Sequence, residues 1–121
     1  MKLVLKKRLK SFVYAYRGIR LLLVREANAR IHLVLLLLVI VAGFYFNISS
    51  LEWIAVVIVS GMVFLAEAIN TALEVFLDAH HPEKNKFTGQ VKDLAAGAVL
   101  LAAITAAIVG VVIFFPKIFT L

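Results

Sequence analysis

The chain of 121 residues has no cysteine, two prolines and one tryptophan. Without cysteine it can have no disulfide framework, thiol nucleophile or thiolate metal site. Acidic residues are scarce, 7 against 13 lysines and arginines, for a formal charge of +6. No Gly-rich loop of the Walker type occurs, which excludes an ordinary soluble nucleotide-binding fold. The first 30 residues are basic throughout, with no compact apolar core and no small-residue cleavage site, which argues against a cleavable signal. The length accommodates one domain.

What the chain has instead is apolar surface. Hydrophobic residues make up 64 % of it, against roughly 45–50 % in a soluble domain. So short a chain has too little interior to bury that much in water, so lipid must be the solvent for most of it. Three apolar stretches stand out: Ile31 to Phe46, Trp53 to about Ala79, and Leu94 to Phe115. A helix needs about 20 residues to cross the hydrocarbon core. The first stretch reaches that length if its helix begins near Arg25 with charged side chains snorkelling to the interface. The second exceeds it, so its end is expected to project past the bilayer.

Charge sets the orientation. Nine basic residues precede His32: Lys2, Lys6, Lys7, Arg8, Lys10, Arg17, Arg20, Arg25 and Arg30. No nucleic-acid motif accompanies them, and beside membrane spans such a block points to anionic headgroups and the cytoplasmic side. The connector "NISSLE" (Asn47 to Glu52) has no lysine or arginine, whereas "HHPEKNKFTGQVKD" (His80 to Asp93) has Lys84, Lys86 and Lys92, with Pro82 and Gly89 as breakers. The N-terminus and the second connector are therefore expected in the cytoplasm, "NISSLE" and the C-terminus outside, and Tyr45 and Trp53 at the outer interface. In residues 1–23, Leu5, Leu9, Phe12, Val13, Tyr16, Ile19 and Leu23 share one helix face, which predicts an amphipathic surface helix. The expected fold is an all-α membrane protein: a surface helix over about 1–23, then spans over about 28–46, 53–79 and 92–115. Ala98, Ala102, Ala106 and Gly110 form a small-residue stripe suited to close helix packing, between subunits or within the chain.

The second span carries Glu67, Asn70, Glu74 and Asp78, spaced by 3, 4 and 4. On a helix they fall within an arc of about 80°, one polar stripe running to the cytoplasmic edge. Ionisable groups inside membranes are costly and functional by default. The competing reading is a structural stripe that neutralises Arg8, Arg20 or Arg30. Carboxylates one turn apart suit a hard cation such as Mg²⁺, and a deeper carboxylate could accept a proton. Two clusters point to the same edge: Glu26, Asn28, Arg30 and His32 before the first span, and Lys92–Asp93 before the third. Acids, lysine and arginine gathered at an interface suit phosphoryl transfer.

"AEAINTALEVFLD" followed by "VKDLAAGAVLLA" resembles the prokaryotic integral-membrane diacylglycerol kinase family, collinear from about Arg8 to Gly110. "REANARIHL" together with "AAGAV" is similar to the branch that contains undecaprenol kinases. The resemblance implies a homotrimer in the bacterial plasma membrane, with active sites between neighbouring subunits at the cytoplasmic face. It implies ATP and Mg²⁺ as cofactors and a lipid alcohol as acceptor. By motif match, Glu67 takes the catalytic-base position, and Glu26 and Glu74 take the positions that hold the metal on ATP. Asn70, Asp78, Lys92 and Asp93 match other polar active-site positions, with Lys92 on phosphate. Arg8 and Arg30 match basic positions near nucleotide and headgroup. The loop from His80 to Gln90 departs from the family pattern, so no residue there is assigned to adenine.

The sequence thus predicts a single-domain lipid kinase that phosphorylates undecaprenol, with diacylglycerol as the alternative acceptor. Two readings from other classes compete: a small proton-coupled transporter, and a non-catalytic membrane subunit whose acids pair with its own basic helix.

Overall fold

The computed structural model describes residues 1–120. Four helices follow one another: α1 (Lys2–Arg25), α2 (Ala27–Tyr45), α3 (Ser50–His80) and α4 (Lys86–Ile118). The last three are long and apolar enough to cross a membrane. α1 is a separate helix because Glu26 takes an extended backbone conformation (φ −103°, ψ 114°). Glu26 is therefore both the C-cap of α1 and the N-cap of α2. Arg30 secures the break, donating from Nη1 to the carbonyls of Leu23 and Val24, both at 2.8 Å. Those carbonyls lie in the last turn of α1, where helix partners run out. Of α1, only Leu22 is buried.

The α2–α3 turn is specified residue by residue. Asn47 adopts a left-handed conformation (φ 52°), which Asn tolerates better than most residues. Ile48 N–H then reaches Gly43 O (3.1 Å) and Asn47 N–H reaches Phe44 O (3.3 Å), the reciprocal pattern of a Schellman cap. Ser49 and Glu52 close a capping box at the start of α3. Ile48 itself is buried with Val56 and Ile113, flanked by Phe46, Trp53 and Phe114. A buried apolar cluster thus sits at this end of the molecule.

The second connector is shorter than the sequence suggested. Asn85 and Thr88 exchange cap hydrogen bonds (2.9 and 3.2 Å) and start α4 at Lys86. Gly89, read as a breaker, lies inside the first turn of α4.

α3 and α4 pack antiparallel along most of their length, whereas α2 touches α3 sparsely. Ala95 and Ala102 are buried, so part of the small-residue face serves packing within the chain. An ion pair clamps each end: Lys92 Nζ to Asp78 Oδ1 at 2.9 Å, and Lys117 Nζ to Glu52 Oε2 at 2.7 Å. The two acids are 26 residues apart on α3, about 39 Å of helix at 1.5 Å per residue. That exceeds the roughly 30 Å hydrocarbon core, so both pairs can sit at its edges, where charge is tolerated.

Gly43 offers a test of this packing. A Cβ there would lie 2.5 Å from Trp53 Cη2 and 2.7 Å from Cζ2. Gly43→Ala is expected to destabilise by about 1–3 kcal/mol through overpacking. At Gly61 nothing lies within 4 Å of a Cβ, so Gly61→Ala should be neutral or stabilising. Thermal unfolding in detergent measures both, and an unchanged midpoint for Gly43→Ala would contradict the packing.

Candidate active site

The polar groups collect at the end opposite the aromatic cluster. The α-helical period brings Glu67, Asn70, Glu74 and Asp78 onto one face of α3, and burial falls steadily along it. Glu67 is 1 % exposed, the most buried large side chain among the described residues. Asn70 and Glu74 are half-buried, and the Asp78 side chain is 56 % exposed. The stripe read from the spacing is therefore a gradient from dry to wet.

At the dry end, Glu67 Oε1 faces His32 Nε2 of α2 at 3.5 Å. That is ion-pair distance but longer than a hydrogen bond. Oε1 is buried without a hydrogen-bond partner, as are Asn70 Oδ1 and Thr71 Oγ1. Unsatisfied buried polar atoms are few in native proteins, and here three fall within five consecutive residues. One turn further on, Asn70 Nδ2 donates to Glu74 Oε1 at 3.3 Å. Glu26 approaches from the α1–α2 break, with Arg25 Nε 3.6 Å from its carboxylate. Glu26 and Glu74 both lie close enough for their charges to act on Glu67. Glu26 thus joins the acids of α3 at this end of the molecule, and His32 faces the deepest of them. At the wet end Lys92 is held by Asp78, and Arg25 is near enough to act on the same aspartate.

Three residues singled out from the sequence lie apart from this cluster. Arg8 is exposed on the outer part of α1. Arg30 is engaged with the end of α1. Asp93 is exposed beside Gln90, Gly97 and Ala98 on another face of α4, because adjacent helical residues point about 100° apart. Thr71 has no place in the sequence analysis, and His32 enters it only as one of four polar residues before the first span. Thr71 is one turn beyond Glu67, and its place on the stripe was legible. His32 meets Glu67 only through the packing of α2 on α3, for which sequence spacing has no signal.

Among the described residues no three His, Asp or Glu side chains come together as a ready metal cage. Glu26 and Glu74, whose charges act on Glu67, nonetheless offer hard carboxylate oxygens. That donor set fits Mg²⁺, which keeps waters and takes phosphate oxygens beside one or two carboxylates.

The sequence profile of the family described as "Prokaryotic diacylglycerol kinase" matches residues 13–114. The undecaprenol kinase of Bacillus subtilis is 38 % identical over 89 % of this chain and 88 % of its own length. The diacylglycerol kinase of Synechocystis sp. is 35 % identical over 92 % of this chain and 64 % of its own. The diacylglycerol kinase of Escherichia coli is 28 % identical, with 83 % and 82 % covered. The convergent acids of α3 and the Lys92–Asp78 pair lie within the matched region, and the chain belongs to the prokaryotic diacylglycerol kinase family.

Proposed function

We propose that the protein transfers the γ-phosphoryl group of ATP to the primary hydroxyl of undecaprenol in the membrane. The family supports lipid phosphorylation, and the acceptor follows the Bacillus subtilis relative, at 38 % identity over most of both chains. Diacylglycerol, named for the Synechocystis and Escherichia coli relatives, is the second candidate. The observation that carries the mechanism is the buried, unpartnered carboxylate of Glu67 among Glu26, Glu74 and His32. Glu67 accepts the proton of the lipid hydroxyl as its oxygen forms a bond to the γ-phosphorus. The bond from that phosphorus to the β,γ-bridging oxygen breaks, and ADP leaves. Lys92 faces the phosphate charge, held by Asp78. Asn70 orients Glu74 through its amide. Glu26 and Glu74 would hold Mg²⁺, which would neutralise phosphate charge when bound.

The whole chain acts as one domain. The N-terminus and the 81–85 connector lie on the cytoplasmic side, in keeping with the basic residues there. α1 rests on the membrane surface, which accounts for its exposed Leu5, Leu9, Phe12 and Tyr16. The chain assembles as a homotrimer, in which Asp93, Arg8 and Arg30 face sites shared with neighbouring subunits.

Radiolabelled ATP in mixed micelles tests the reading against both lipids. Label should pass to undecaprenol faster than to diacylglycerol, and activity on neither would sink the kinase assignment. Glu26→Gln and Glu74→Gln should each raise the Mg²⁺ concentration needed for half-maximal activity. Unchanged Mg²⁺ dependence in both would remove them as ligands.

A further inference from the structure

The mechanism leaves His32 without a task. His32 lies within the first span, where a titratable side chain is costly. Its ring lines a cavity of about 350 Å³ between α2, α3 and α4, with Leu36, Val63 and Ala107 among the walls. The surroundings are apolar except for Ser60 and His32 itself. Nε2 lies 3.5 Å from Glu67 Oε1. Among the described residues His32 is the only basic side chain within ion-pair distance of Glu67.

Glu67 needs such a partner. Glu26 and Glu74 both repel its carboxylate, and no hydrogen bond fixes Oε1. A carboxylate repelled by two others and held by no hydrogen bond would turn away from the attacking hydroxyl. An imidazole Nε2–H supplies the missing restraint. The observed 3.5 Å leaves it slack, and catalytic contacts that are long in an unliganded site tighten when substrate arrives.

We infer that His32 is the positioning residue for Glu67: from the wall of the apolar cavity it orients the carboxylate toward the lipid hydroxyl. The inference rests on Glu67 being the base. It assigns His32 an effect on turnover rather than on substrate affinity.

The test measures kcat and KM for ATP and for undecaprenol in mixed micelles. It compares the full-length protein with His32→Phe, His32→Gln, Glu67→Gln and the double variant His32→Phe/Glu67→Gln. Phe keeps the ring and the apolar wall but cannot donate. His32→Phe should lower kcat about ten- to a hundredfold, the scale of misplacing a reacting group by about 1 Å, with both KM values near wild type. His32→Gln restores a donor and should recover most of that loss, which also shows that position 32 tolerates substitution. In the Glu67→Gln background His32→Phe should cost nothing further, because residues that act as a unit are not additive. Wild-type kcat in His32→Phe overturns the inference while leaving Glu67 in place. So does a loss confined to the undecaprenol KM, or a full additional loss on top of Glu67→Gln. Wild-type activity in Glu67→Gln overturns the base assignment itself, and the inference with it.

Discussion

Glu67→Gln is expected to lower kcat by roughly 10²–10⁴-fold, the usual contribution of a positioned general base. Gln has nearly the same volume as Glu and keeps an oxygen where Glu67 Oε1 now lies, but it cannot take up a proton. The side chain is 1 % exposed, so solvent cannot readily stand in for it. The variant should not be less stable. In the wild type the Glu67 carboxylate is buried with Oε1 lacking a hydrogen bond and within reach of the charges of Glu26 and Glu74, an arrangement that opposes folding. A neutral amide relieves that repulsion, so the unfolding midpoint should hold or rise as activity falls. Loss of function with gained stability is the mark of a site kept for chemistry rather than for packing. Thermal unfolding and radiolabelled turnover on the same preparation check both halves. Full activity would exclude Glu67 as the base, and a collapse in stability would mean that the carboxylate is structural.

Lys92→Met carries the second largest expected effect, a loss of about 10²–10³-fold in kcat, the scale for removing one donor to developing charge. The ammonium has three N–H donors. One is given to Asp78 at 2.9 Å, which leaves two for phosphate oxygens. The Lys92 and Asp78 side chains are 43 % and 56 % exposed, and ion pairs of that kind contribute little to stability. Lys92→Met should therefore fold as wild type does, so its activity reads chemistry. Asp78→Asn is the comparison. It loosens the tether but leaves the ammonium, and should cost less than Lys92→Met. Equal losses in the two variants would make Lys92 a structural partner of Asp78 and withdraw it from phosphate.

The polar face of α3 was legible because its residues lie on one helix, where spacing alone fixes direction. The order of burial along that face agreed with the position of each acid in its span. The start of α4 was misjudged for a local reason. Pro82, three lysines and Gly89 read as loop, whereas the reciprocal Asn85–Thr88 cap is strong enough to begin a helix and carry Gly89 inside it. The Ser49–Glu52 box that starts α3 was equally present in the sequence, in the middle of a stretch read only for its lack of positive charge.

Within each helix, then, the amino-acid order was sufficient. It determined that the chain is helical, that three helices are long and apolar enough for a membrane, and that the acids of α3 share a face. It also carried the motif by which the family was recognised. The reason is that helix period and hydropathy are properties of consecutive residues. Which helices meet, and in what register, depends on packing between segments far apart in the chain. Only the tertiary structure decided that Asp78 clamps Lys92 and Glu52 clamps Lys117. It likewise placed Glu26 at the break where α1 turns into α2, and brought His32 of α2 against the one fully buried acid of α3.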